Sequence, residues 1–152
     1  MADTTAIIRC ETCRQLNRVP LEKIAGKPVC GTCKSTLDIP REPVWVKKGT
    51  FDRVVSNWPE TLLIEFTAPA SIFCKIVDPI VKKLALEKAG KLKVMKVDIE
   101  TDEYLAERFK VEKTPTFIVF KNGAEIIRVD GAPKEKTDLV KWIENIINLK
   151  SF

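Results

Sequence analysis

Four of the five cysteines fall in two identical spacings, Cys10-Glu11-Thr12-Cys13 and Cys30-Gly31-Thr32-Cys33, with sixteen residues between them. A C-x2-C unit turns the chain tightly enough for both sulfurs to face one ion, and two units at this separation are the pattern of a four-cysteine zinc site. Gly31 is expected to supply a positive φ in the second turn. Four thiolates around Zn²⁺ leave about two negative charges, and Arg9, Arg14, Arg18 and Lys34 stand beside the ligands to offset them. With every coordination position taken by protein sulfur, the one zinc expected here is structural. From spacing alone, two disulfides or a pair of redox-active dithiols remain as alternatives.

The fifth sulfur lies in the stretch LLIEFTAPASIFCKIVDP, residues 62–79, which runs from an apolar strand through a Pro-bearing turn into a helix. Cys74 then sits in the first helical turn, where unpaired N–H groups and the helix dipole favour a thiolate. Three residues earlier, Ser71 suits the N-cap position. The chain has no histidine, so Ser-His-Asp and Cys-His catalysis are excluded and the Ser71 hydroxyl has no such base to activate it. One charge interrupts the strand: Glu65 is costly to bury unless it is protonated, hydrogen-bonded or paired, and a pair with Lys96 is one resolution.

These residues need two frames. The first forty residues are poor in large apolar side chains, so metal is expected to supply much of their folding free energy. Residues 38–43, with two prolines, form a stiff link, and the chain is divided into a zinc ribbon, 1–42, and a second domain, 43–152. In the second domain, periodicity predicts a helix over 50–58 capped by Thr50, with Phe51, Val54, Val55 and Trp58 on one face. A strand at 61–66, a helix at 71–89 kinked at Pro79, a strand at 92–98 and a helix at 101–110 follow. Strands at 117–120 and 125–130 are joined by the hairpin signal Asn122-Gly123, and a last helix buries Leu139, Val140, Ile143, Ile146 and Ile147. This order describes an α/β fold, a central mixed sheet flanked by helices.

Net charge is +5, yet residues 1–42 hold seven basic and five acidic side chains, so the excess is not concentrated and no nucleic-acid partner is expected. The N-terminus lacks a basic segment followed by a sustained apolar core, and no apolar run reaches membrane-spanning length. No membrane partner and a cytoplasmic location are the expectations.

The stretch E-F-T-A-P-A-S-I-F-C-K followed by I-V-D-P resembles the active-site segment of the thioredoxins, D-F-W-A-P-W-C-G-P-C-K followed by a short apolar run and a Pro. The paired C-x2-C units with Asn-Arg-Val-Pro at 17–20 look like the zinc-ribbon-bearing bacterial thioredoxins, and the main resemblance covers about residues 49–149. It implies the thioredoxin fold and a protein-disulfide reductase that serves disulfide-bearing substrate proteins and draws electrons from a thioredoxin-reductase-like donor. Ser71 stands where the family has its attacking cysteine, a departure that a single Cys to Ser replacement accounts for, and Thr67 and Ala70 stand where it has Trp.

Cys74 matches the resolving cysteine and Glu65 the buried acid, one methylene longer than the usual Asp; Lys96 matches a charged family position. Pro115 matches the proline after a cis bond and, with Thr114, would present backbone to an extended substrate, while Ala70, Ile72 and Phe73 would form an apolar docking surface. Two-electron disulfide exchange needs two sulfurs in turn, so this S-x-x-C form is expected not to turn over. A redox-silent protein-binding module, or a monothiol enzyme using Cys74, are the competing readings.

Overall fold

The computed structural model describes residues 4–131 and 141. In the N-terminal part, alternation in Thr5–Arg9 (β1) and Leu16–Pro20 (β2) gives a two-stranded antiparallel hairpin, followed by a short 3-10 helix at Leu21–Gly26. The turn joining the two strands carries Cys10 and Cys13, and a matching turn carries Cys30 and Cys33, closed by an isolated bridge between Val29 and Thr36.

The larger part is a five-stranded mixed sheet in the order β3-β5-β4-β6-β7, built from Val44–Trp45 (β3), Thr61–Thr67 (β4), Leu92–Asp98 (β5), Thr116–Lys121 (β6) and Ala124–Asp130 (β7). β3 and β4 flank β5 in parallel, and β6 and β7 add antiparallel strands. The helices are Lys48–Asn57 (α1), Ile72–Glu87 (α2) and Glu103–Arg108 (α3). The mixed sheet with flanking helices is the architecture expected from the sequence. Every residue of β4 is buried, as its apolar run requires when both faces are covered. Leu62, Ile64 and Phe66 join the cluster with Phe51, Val55 and Leu105, while Leu63 faces Val77, Val81 and Leu84 of α2.

Several boundaries move, each for a local reason. α1 begins at Lys48 rather than at Thr50 because its first N–H is capped from a distant element: Lys48 N donates to Asp102 Oδ2 at 2.7 Å. The same buried carboxylate caps α3 through Leu105 N at 3.1 Å, so this helix starts at Glu103. α2 runs through Pro79 without interruption and ends at Glu87. The hairpin turn places Asn122 at φ 53° and Gly123 at φ 78°, the left-handed pair that a two-residue hairpin needs. The two-residue β3 was not anticipated. The last expected helix, with Leu139, Val140, Ile143, Ile146 and Ile147, lies outside the described residues.

The N-terminal part is packed into the same core. Ala6, Ile8, Val19, Ile24 and Leu37 form one apolar cluster with Val46, Phe51, Val55, Trp58 and Met95. Gly90, at φ 91°, makes the closest approach possible: a Cβ there would lie 2.9 Å from Ile24 Cδ1 and 3.2 Å from Ala6 Cβ. Arg14 Nη1 donates to the buried Asn57 Oδ1 at 2.7 Å. Gly90 and Asn57 both precede strands, β5 and β4, whereas Ser71 and Cys74 follow β4. The ribbon therefore covers the end of the sheet opposite the one that carries Cys74.

Candidate functional site

The four ribbon sulfurs all lie within 4.8 Å of one another. Cys10 Sγ and Cys33 Sγ are 3.6 Å apart, as are Cys13 Sγ and Cys30 Sγ. Zinc–sulfur bonds of about 2.3 Å in a tetrahedron require sulfurs about 3.8 Å apart, so the donor set fits a zinc held by four thiolates. The two turns repeat each other. Cys10 N donates to Gln15 O and Arg14 N to Cys10 O at 2.8 and 2.9 Å; Cys30 N donates to Ser35 O and Lys34 N to Cys30 O at 2.8 and 3.0 Å.

The positive φ of each turn falls on Arg14 (71°) and Lys34 (65°), the residue after the second cysteine, and not on Gly31 as expected. Gly31 instead gives its N–H to Asn17 Oδ1 at 2.9 Å, while Asn17 Nδ2 reaches Cys30 Sγ at 3.5 Å. Donors converge on this thiol, chiefly the Cys33 and Thr32 backbone N–H groups, and lower it from 9.0 to about 6, while its neighbour Cys13 is pushed up to about 11. Without a cation, the first thiolate of the pair therefore forms at Cys30 and the second is resisted. A ligand poised as thiolate suits a metal. Of the flanking cations, Arg9 reaches Arg14 O and Lys34 reaches Gly31 O, so they brace the turns.

At the other end of the sheet, β4 delivers Ala68 and Pro69 into a turn, and Ser71 caps α2. Ser71 Oγ accepts the Cys74 N–H at 3.4 Å and donates to Thr114 O at 3.5 Å. The peptide bond that follows this carbonyl, Thr114–Pro115, is cis, and Pro115 is buried. The serine thus ties the first turn of α2 to the loop before β6. Cys74, one turn further in, is 3% exposed. Ala70 is exposed, Ile72 and Phe73 are 66% and 56% exposed, and Ile76 extends their surface.

Glu65 is fully buried on the α2 side of β4, and neither carboxylate oxygen has a hydrogen-bond partner among the described residues. Burial pushes its carboxyl up from 4.5 to about 7, against a smaller pull from Lys96. The Thr67 side chain offsets this slightly, outside good hydrogen-bond geometry. Lys96 is the cross-strand partner of Glu65, yet the ion pair that was one of the alternatives for this carboxylate does not form: Lys96 Nζ bonds Asp78 Oδ1 at 2.9 Å and lies 4.8 Å from the Trp45 ring centre. The aspartate one turn along α2 competes for the ammonium and wins it.

The structure brings Ser71, Cys74, Thr114 and Pro115 together at the head of α2, and sets Glu65 and Lys96 in one row of the sheet beneath that helix. The sequence reasoning missed Asp78, Trp45, Asn17 and Asn57. For Asp78 a signal was present, a charge in the helix that covers the strand carrying Glu65; Asn57 acts only through its contact with Arg14.

The thioredoxin family model matches residues 42–145, and the model described as "Thioredoxin 2, N-terminal", a zinc ribbon, matches residues 9–35. "Thioredoxin C-3" of Corynebacterium nephridii is 31% identical over 138 residues, covering 91% of this chain and 93% of that protein. A thioredoxin of Haemophilus influenzae is 32% identical over 106 residues, covering 70% and 98%. Among solved structures, a mutant thioredoxin from Halobacterium salinarum superposes with a TM-score of 0.66 at 27% identity, over 75% of this chain and 98% of that one. No helix among the described residues is long and apolar enough to cross a membrane.

Proposed function

The chain belongs to the thioredoxin family, and on that premise we propose that it is a zinc-ribbon-bearing thiol–disulfide oxidoreductase, a protein-disulfide reductase whose attacking position is held by Ser71. One structural zinc on Cys10, Cys13, Cys30 and Cys33 crosslinks the ribbon; no step at Cys74 passes through it. The ribbon, 1–42, and the redox domain, 43–152, are the two working parts. Zinc held by four thiolates and a reductase fed by a thiol donor would both operate in a reducing compartment, and the cytoplasm is the location proposed.

The observation that carries this reading is the place of Ser71: its Oγ sits one helical turn from Cys74, between the Cys74 N–H and the Thr114 carbonyl beside the cis bond. An extended segment of a disulfide-bearing protein would lie along Thr114 and Pro115 with its side chains on Ala70, Ile72 and Phe73. A thiol at position 71 would attack the substrate disulfide, releasing one substrate thiol and leaving a mixed disulfide. The Cys74 thiolate would then attack the sulfur at 71, release the second substrate thiol and close an internal disulfide, which a thioredoxin-reductase-like donor reopens. Glu65 would take the Cys74 proton in that second step. With an alcohol at 71 the sequence has no first sulfur, so the chain as written does not cycle.

The test is Ser71→Cys, assayed by reduction of insulin disulfides with a dithiol donor. Turnover gained over the parent supports the oxidoreductase. No gain, with the fold intact, transfers the case to a redox-silent binding module, the second reading, which the exposure of Ile72 and Phe73 favours. A monothiol enzyme is disfavoured by the burial of Cys74.

A further inference from the structure

One row of paired residues crosses the sheet in register: Trp45 on β3, Lys96 on β5, Glu65 on β4 and Phe117 on β6. Paired residues share a face, so all four side chains point toward the α2 side. Lys96 has a carboxylate on either hand, Glu65 beside it and Asp78 above it on α2. It takes Asp78, at 2.9 Å, and lies against the Trp45 indole. Glu65 is left buried without a hydrogen-bond partner among the described residues.

We propose that Asp78 is a positioning residue for the proton chemistry of this site: by holding the Lys96 ammonium against Trp45 it withholds that charge from Glu65 and keeps the buried carboxyl unpaired. The inference rests on the reading of Glu65 as acceptor of the Cys74 proton, and it says what makes such an acceptor possible. A buried carboxylate locked to an ammonium stays ionised far below neutrality and is a poor base. An unpaired one exchanges its proton near neutral pH. The groups acting on Glu65 are Lys96 from β5, Asp78 from α2 and Thr67 from its own strand, with apolar Phe117 as its partner on β6. Lys96 and Asp78 pull in opposite senses, and Asp78 acts twice, through its own negative charge and by occupying Lys96.

The Asp78 side chain is 40% exposed, so it can be replaced without opening the core. The experiment follows the Glu65 carboxyl by carbon NMR across pH in the zinc-loaded full chain labelled at glutamate. Asp78→Asn is expected to lower its midpoint by about one pH unit, a tenfold loss of proton affinity, and Lys96→Met to raise it. Asp78→Glu, which retains the carboxylate, should restore a midpoint near the parent's. In the Lys96→Met background the drop caused by Asp78→Asn should shrink to the part that comes from the charge of Asp78 itself, a dependence on Lys96 that a purely structural role for Asp78 would not produce. An unchanged or raised midpoint in Asp78→Asn, or an equal drop with and without Lys96, overturns the proposal. The rate of Cys74 alkylation against pH, measured in the same variants, separates the two claims. If the Glu65 midpoint moves and the Cys74 profile does not follow, the placement by Asp78 stands and the proton-acceptor reading of Glu65 falls.

Discussion

Glu65 should make this protein less stable as the solution becomes less acid, the reverse of what most carboxylates do. Its carboxyl is fully buried and unpaired among the described residues, and burial raises it from 4.5 to about 7. Between those values the folded chain holds a proton that the unfolded chain has released. Stability contributed by this group is therefore fully present below pH 4.5, falls through the window and is gone above pH 7. At about 1.4 kcal/mol for each tenfold difference in proton affinity, the loss is about 3 kcal/mol. Glu65→Gln mimics the neutral form at every pH. Urea unfolding of both proteins from pH 4 to pH 8 should show near-equal stability at the acid end and a variant about 3 kcal/mol more stable at pH 8. Taking the difference at each pH removes contributions common to both proteins, including protonation of the ribbon thiolates. A flat difference curve, or one in which the parent gains on the variant as pH rises, would refute the account of Glu65 as a buried, unpaired acid.

Three further outcomes follow from the geometry. Gly90→Ala puts a Cβ 2.9 Å from Ile24 Cδ1 at a φ of 91° and should cost about 2–3 kcal/mol in denaturant unfolding. Adding Ile24→Ala should relieve part of that cost, giving a less than additive double variant. Asn57→Ala deletes the 2.7 Å bond from Arg14 and leaves a guanidinium without its partner, so a destabilisation of about 1–3 kcal/mol is expected by the same assay. A mercurial should release one zinc per chain with four thiols, while Cys74, 3% exposed, labels slowly in the native protein; two disulfides found by mass spectrometry in place of metal would remove the zinc assignment.

The features legible in the sequence are those decided by near neighbours. The apolar run of β4, the helical spacing of Val77, Val81 and Leu84, the turn at Asn122-Gly123 and the paired cysteine turns each depend on residues a few positions apart. What was missed depends on partners far along the chain. β3 is two residues long and exists because β5 offers it a parallel edge. α1 starts two residues early because Asp102, fifty-four positions on, caps it. Lys96 could pair with either carboxylate on local grounds, and only the path of α2 decides for Asp78. Gly31 was assigned the positive φ on residue type; the hydrogen bond to Cys10 O or Cys30 O instead sets that conformation one residue past each second cysteine.

The two sulfur sites are held apart by the sheet, and this predicts how they should influence each other. The ribbon meets the loops that precede β4 and β5, whereas Ser71 and Cys74 follow β4, with the length of the strand between them. Charge at the metal site is thus distant from Glu65, whose neighbours are Lys96, Asp78 and Thr67. The apolar core is continuous from Ile24 to Phe66, so packing is shared where charge is not. Removing zinc should therefore lower the stability of the whole described unit, because Ala6, Ile8 and Ile24 lose the frame that seats them on Trp58 and Gly90. The Glu65 midpoint, read by carboxyl NMR in the fraction that stays folded, should remain where it was. A midpoint that moves on metal removal would mean that the ribbon reaches the row containing Glu65, Lys96 and Trp45, and the separation of the two ends would have to be abandoned.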